Sequence, residues 1–343
     1  MRICYVGHPA HAWSGSSKFF ENLLEELGSL TVYRPTPVDI DNVIRTAFET
    51  NYDLYVFFQF DFLAYAFAYA GKKVIVVPMI DGSASYGSEH WRLLRGAKFI
   101  SFSKSLDEYL RFNGHESFRI QYWPAPNQQS RNKENSIYYW PRGHHQYVSV
   151  RKILASFENY PEMQIRVRKV DSPDSELDYS RFESERLKIV TVETREKHLS
   201  EIKKSKIYIA PRPSEGIGQS FLEAMSYGTP VLSRDYPTMS EYILPGVNGL
   251  FFSANNRSLH EGIDFEMLGR NSHEAVRSGY EIYLRAQRDL QVYVLDLKNK
   301  NLRIKVSEVH RLLDVSCAIM RRQYFPKGSV NTLQNWIRFK NMF

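Results

Sequence analysis

Short apolar runs rich in β-branched and aromatic residues alternate with helix-like segments along this chain. That alternation limits the fold more than any other feature. The runs lie at residues 2–7, 30–33, 54–59, 73–79, 98–103 and 118–123, and helical patterns separate them at 17–27, 38–49, 62–70, 89–95 and 106–112. Alternation of this kind implies a parallel sheet covered by helices on both faces. Its strands are buried on both sides and so read as continuous apolar runs. Pro124, Pro126 and a polar stretch to Lys133 interrupt the pattern as an interdomain linker does. Runs resume at 137–140, 164–170, 187–192, 206–210, 230–233 and 249–252, with helices at 147–157, 196–203 and 220–227. Residues 171–185 are charged and read as a surface loop, and the chain is mostly helical after Arg270.

A length of 343 residues suits two domains. The expected class is α/β: a Rossmann-like unit over 1–130, a second over 131–300, and a helical segment over 301–343 that packs back on the first. Ligands of open parallel sheets bind beyond the carboxyl ends of the strands. Two such units joined by a linker are expected to form a cleft.

The net charge of +7 suits a protein that handles anionic diphosphates or touches an anionic membrane. No run of five Lys/Arg and no nucleic-acid-binding signature is present, so nucleic acid is not an expected partner. Two cysteines, Cys4 and Cys317, make no disulfide framework and point to a reducing, cytoplasmic setting. The long apolar stretch 54–70 contains Gln59 and Asp61, which argues for a strand and a helix over a membrane span. The basic, aromatic tail 336–343 is a candidate membrane contact, with packing on the protein body as its alternative.

One segment carries chemistry. Residues 207–231 read as a strand, a glycine-containing loop, a helix and a second strand. Gly228 stands where a helix C-terminal glycine belongs, followed by Pro230. Gly216 and Gly218 permit a tight turn and close approach to a ligand. Free amides near Gly218, Gln219 and Ser220, with the helix dipole, make an anion site suited to a diphosphate. Glu215 precedes the helix and Glu223 lies about one turn into it. A carboxylate beside a phosphate is best used on hydroxyls, and a ribose or hexose diol offers two donors to one carboxylate. A plain βαβ unit with surface glutamates is the alternative.

Glu215 and Glu223 are separated by seven residues, within Ser-Glu-Gly-x-Gly, Leu-Glu-Ala-Met and Gly-x-Pro-Val. This resembles the Glu-x7-Glu motif of retaining GT-B glycosyltransferases, most closely glycosyltransferase family 4 (glycosyl transferases group 1). The resemblance continues through Met239–Glu241 and Gly246-Val247-Asn248-Gly249. It implies that Glu223 holds ribose hydroxyls, that Glu215 lies near donor-sugar hydroxyls, and that Gly216, Ile217, Gly218, Gln219 and Ser220 contact sugar and diphosphate. It also implies an Arg and a Lys on the diphosphate. Arg142 matches the Arg, whereas Tyr147 stands near the expected Lys. On the acceptor side, Gly15 and Ser16 match a glycine-rich loop, with a helix cap by Ser16 or Ser17 as the alternative. Asp81 matches a position where relatives carry His or Asp, an ordinary turn Asp being its alternative. Glu89 and His90, in an expected loop, are weaker candidates.

His8 and His11 are expected to face solvent. His144 and His145 point opposite ways on an extended segment and have no third ligand, so no metal and no cofactor is expected. The implied partners are a nucleotide sugar donor and a glycan, glycolipid or other hydroxyl acceptor in polysaccharide, lipopolysaccharide or other glycoconjugate synthesis. Two rival readings are a sugar-nucleotide epimerase on the same fold and a degenerate sugar-binding or scaffold subunit.

Overall fold

The computed structural model describes residues 1–141, 148–169, 186–253, 255, 258–296 and 305–324. The chain divides into two units: residues 1–121 with 285–343, and residues 122–284. These limits differ from the expected 130 and 300. The second crossing falls inside one long helix, Phe265–Leu295, whose periodicity marks no break. The expected linker is part of the second unit. Asn127 Nδ2 donates to Ser226 Oγ at 2.8 Å, and the Ser130 amide donates to Tyr227 O at 3.1 Å. Its prolines remove helical and ladder bonding, and one side-chain and one backbone bond to residues 226–227 tie it down.

The first unit is a parallel sheet of β1 (Arg2–Gly7), β2 (Ser29–Tyr33), β3 (Leu54–Phe58), β4 (Val74–Val77), β5 (Lys98–Ser101) and β6 (Ser117–Arg119), ordered β2-β1-β3-β4-β5-β6. The β3 and β4 strands are buried along their whole length, as their unbroken apolar sequences require. Val309, Leu312, Leu313, Cys317 and Met320 of the Val306–Tyr324 helix join the core that also holds Val6, Phe57 and Phe67. Ser316 Oγ donates to Phe62 O at 2.7 Å and anchors that helix.

The second unit holds β7 (Glu134–Tyr139), β8 (Gln164–Arg168), β9 (Leu187–Val190), β10 (Ser205–Ile209), β11 (Val231–Ser233) and β12 (Gly249–Phe251). They are parallel, in the order β12-β11-β10-β7-β8-β9. The strand order reverses between β1 and β3 in the first sheet and between β7 and β10 in the second. At such a reversal, adjacent loops leave in opposite directions and open a crevice beyond the strand ends. The loops after β1, β3, β7 and β10 are therefore where ligands are expected.

Both cysteines are buried and free. Burial pushes the Cys4 thiol up to about 12, which keeps it protonated and inert. Among the described residues, no helix is long and apolar enough to cross a membrane, and no group of three His, Cys, Asp or Glu is placed to hold a metal ion.

Candidate active site

The loop after β10 leads into the Gln219–Ser226 helix at the reversal point of the second sheet. Gly218 is the residue that makes this entry possible. Its φ of 80° is left-handed, and a Cβ there would stand 1.9 Å from Phe221 Cε1. A side chain would meet both backbone strain and a buried ring. The first intrahelical bond runs from the Leu222 amide to Gly218 O at 3.1 Å. A helix has no internal partner for its first amides, so those of Gln219, Ser220 and Phe221 lie at the positive end of the dipole. At the other end, Gly228 has φ 71° and the Thr229 amide donates to Ala224 O at 2.9 Å, closing the helix as its sequence announces.

Glu215 is 9% exposed, and Arg212 Nη1 stands 3.5 Å from its Oε2. Thr238, fully buried, donates its hydroxyl to the backbone oxygen of Glu215 and stands 3.3 Å from that of Gly216. The loop is thus tied from behind, which fixes where the Glu215 carboxylate starts. Glu223, one turn into the helix, forms an ion pair with Arg195, the first residue of the Arg195–Lys204 helix. The Tyr122 hydroxyl lies near the Gln219 side chain and the Glu223 charge. Burial first and then that carboxylate push the phenol up to about 12, so it remains a hydrogen-bond donor at neutral pH. Loop and helix therefore present two carboxylates, each beside a guanidinium, near the start of the helix.

Asn248 accounts for the downstream Gly-Val-Asn-Gly. Its Oδ1 accepts the Leu244 amide at 2.7 Å, and its Nδ2 donates to Tyr242 O at 3.0 Å. This is a turn built to hold the loop before β12, with Gly249 packed under Val231 O. Arg142, Tyr147, His144, His145, residues 171–185 and the tail 336–343 lie outside the described residues. At the neighbouring strand ends, Arg168 stacks 4.0 Å over Trp140 and donates to Val192 O at 3.2 Å. Burial holds its guanidinium below the usual range. The apolar patterns of β7 and β8 gave no hint of this cation.

In the first unit the expected acceptor-side residues lie on three short helices or at their ends. Gly15 has φ 65° and ends the short His11–Ser14 helix. Ser16 Oγ is 2.8 Å from Ser14 Oγ, and Ser17 Oγ donates to Glu21 Oε1 at 2.5 Å; neither caps the following Lys18–Glu25 helix. Asp81 is exposed on the Ile80–Ser83 helix. His90 lies on a helix, Ser88–Leu93, and not in a loop. It is buried, with Nδ1 2.6 Å from the Tyr65 hydroxyl and Nε2 3.7 Å from Asp61 Oδ2, and Asp61 also binds Ser83. The helix places His90 in this internal network, beside Trp91 of the core.

His8 and His11 correct a second expectation. They are drawn inward by aromatic neighbours: the His8 ring is 5.2 Å from Phe60 and the His11 ring 5.3 Å from Phe58. Burial, then each other's charge and that of Arg34, lower His8 to about 3; burial and Arg34 lower His11 to about 4. Both rings are neutral at pH 7. His8 Nδ1 accepts the Ala10 amide at 3.0 Å. Across the reversal point, Gln59 follows β3 with φ 64°, the one non-glycine residue in the left-handed region among those described. That conformation costs about 1–2 kcal/mol for an L-residue. Arg34 Nη2 lies 2.5 Å from Glu21 Oε1, while its Nη1 is buried without a hydrogen-bond partner among the described residues.

Residues 183–279 match the family described as glycosyl transferases group 1. That match covers less than a third of the chain and falls within the second unit. No curated protein sequence gives a significant match. Among solved structures, HepE of Anabaena, in complex with UDP and glucose, superposes with a TM-score of 0.63 at 16% identity, covering 87% of this chain and 100% of that one. Sucrose-phosphate synthase from Thermosynechococcus elongatus gives 0.62 at 13% identity, covering 85% and 98%. The apo lipopolysaccharide outer core galactosyltransferase WaaB gives 0.57 at 15% identity, covering 85% and 99%. These likenesses establish the GT-B architecture, with two Rossmann-like units built on parallel six-stranded sheets. The matched segment and the fold agree: a GT-B architecture whose second unit carries the group 1 sequence pattern.

Proposed function

We propose that this enzyme transfers a sugar from a nucleoside diphosphate sugar to a hydroxyl acceptor with retention of the anomeric configuration. One observation carries the reading. The left-handed Gly218 starts a helix between Glu215 and Glu223 at the reversal point of the second sheet. Amides at a helix start suit a diphosphate, and a carboxylate beside it suits vicinal hydroxyls. Glu223 would take the ribose diol and Glu215 the donor-sugar hydroxyls. Arg142 would carry charge that builds on the leaving diphosphate, where a guanidinium gives bidentate contacts. With bond breaking ahead of attack, the departing phosphate would help deprotonate the acceptor on the same face.

The donor chemistry assigns no step to a divalent cation, so activity should persist in EDTA. A uridine diphosphate sugar is the first donor to test, since the Anabaena structures hold UDP, glucose and UDP-glucose. A thermal-shift panel of nucleotides and nucleotide sugars identifies the donor, because a ligand that binds only the native state raises the Tm. NMR of the product anomer then tests the stereochemistry. An inverted product ends the retaining assignment, and failure of every nucleotide to shift the Tm ends the donor-site reading. Glycoconjugate synthesis is the proposed setting, and the basic tail is a proposed contact with the cytoplasmic membrane face, to be checked by liposome flotation.

A further inference from the structure

The geometry points to Trp123 as a positioning residue for the helix start at Gly218. Wedged on Gly279 of the Phe265–Leu295 helix, it sets the place of the Gln219, Ser220 and Phe221 amides through the rings of Tyr242 and Phe221. The inference deepens the proposed donor site and rests on that reading for what those amides hold. Gly279 lies in the interior of a 31-residue helix, where glycine weakens the helix relative to alanine. Its φ is not left-handed, so backbone conformation does not call for glycine there. Space does: a Cβ would stand 2.3 Å from both Cδ2 and Cε2 of Trp123 and 2.7 Å from its Nε1. The indole therefore rests on the helix backbone itself.

From Trp123 the contacts lead to the helix start. The Trp123 and Tyr242 rings meet edge to face at 4.8 Å, and the Tyr242 and Phe221 rings at 5.6 Å in the same manner. All three side chains are buried, and Phe221 is the third residue of the Gln219–Ser226 helix. Its ring covers Gly218, the left-handed residue that starts that helix. The long helix holds Tyr242 by a second route. Ser272, fully buried, donates to Asn248 O, and Asn248 Nδ2 donates to Tyr242 O. A Cβ on Gly269 would stand 2.4 Å from Gly228 O, so the same helix also abuts the far end of the Gln219–Ser226 helix. Interiors pack as densely as crystals, so a displaced indole moves its neighbours. Every residue of this chain of contacts belongs to the second unit.

The test begins with amide NMR spectra of the full-length labelled protein without ligand. Gly279→Ala should move the Gln219, Ser220 and Phe221 signals, because the new methyl must displace the indole. Ile153→Val, a core change elsewhere in the second unit, should lower the Tm and leave those three signals in place. In calorimetry with inorganic pyrophosphate, UDP, GDP and ADP, Gly279→Ala should weaken binding by about tenfold. Adding Trp123→Phe should recover part of that loss, since the smaller ring clears the methyl and residues in contact do not act additively. Should Gly279→Ala not fold, Trp123→Phe alone carries the test and should move the same three signals. Unmoved signals overturn the inference, as do parental affinity in a variant whose signals move and a further, additive loss in the paired variant. A parent that binds none of these diphosphates overturns the donor reading instead, while the ligand-free spectra still decide this one.

Discussion

The two sheets carry opposite chemistry at equivalent places. At the reversal point of the second, Glu215 and Glu223 stand beside Arg212 and Arg195 around the start of a helix. At the reversal point of the first, the His8 and His11 rings pack on Phe60 and Phe58, burial keeps both neutral at pH 7, and Arg34 stands beside Glu21. One scaffold thus carries two acidic side chains with arginine partners at one reversal point, and neutral imidazoles near a single Arg–Glu pair at the other. The lesson is that strand order fixes where a ligand binds, while the loop residues decide what kind.

The harshest way to break this comparison is to block the charged crevice. Gly218→Val adds both left-handed strain and a clash with Phe221, and should cost about 3 kcal/mol of stability. Nucleotide-induced thermal shifts should vanish with it. A variant that melts normally and still binds nucleotide would show that the helix entry is not the anion site.

Acid separates the two crevices next. His8 and His11 are ordinary histidines when unfolded, and only the unfolded chain takes up their protons between pH 6.5 and about 4. Their contribution is therefore complete above pH 6.5 and is lost as the pH falls toward 4, on the order of 3 kcal/mol for His11. Urea unfolding across that range should show the loss, and His11→Asn should flatten the slope. An unchanged slope in that variant would remove the neutral imidazole from the comparison.

Glu223→Gln keeps shape and removes charge. Loss of a charged hydrogen bond to the ribose should weaken nucleotide binding about 10- to 100-fold by calorimetry. The penalty for a 2′-deoxynucleotide should shrink along with it. Affinity at the parental level would take Glu223 out of the donor site. The smallest effect is expected at Arg195, whose side chain is 62% exposed. Arg195→Gln should change nucleotide affinity by only about threefold, since an exposed ion pair is worth under about 1 kcal/mol. A much larger loss would show that this arginine meets the ligand directly.

Much of the fold was legible because parallel strands buried on both faces must be apolar throughout. Val74–Val77 and Leu54–Phe58 could be little else. The helix around Glu223 was equally plain, framed by Gly218 and Gly228. His8, His11 and His90 were misplaced from sequence because a polar residue's burial depends on partners distant in the chain. Tyr65 encloses His90, and Phe58 and Phe60 enclose the pair near β1.

The chain's local order of apolar runs, glycines and carboxylates determined by itself that this is a two-sheet α/β protein with a glycosyltransferase-type loop, because backbone periodicity and helix-end chemistry act over a few residues. Only the tertiary structure decided that His8 and His11 pack on Phe60 and Phe58, that Arg195 meets Glu223, and that the long helix after Phe265 runs from the second unit into the first. Those outcomes follow from strand order and side-chain burial, which bring together residues that no local spacing relates.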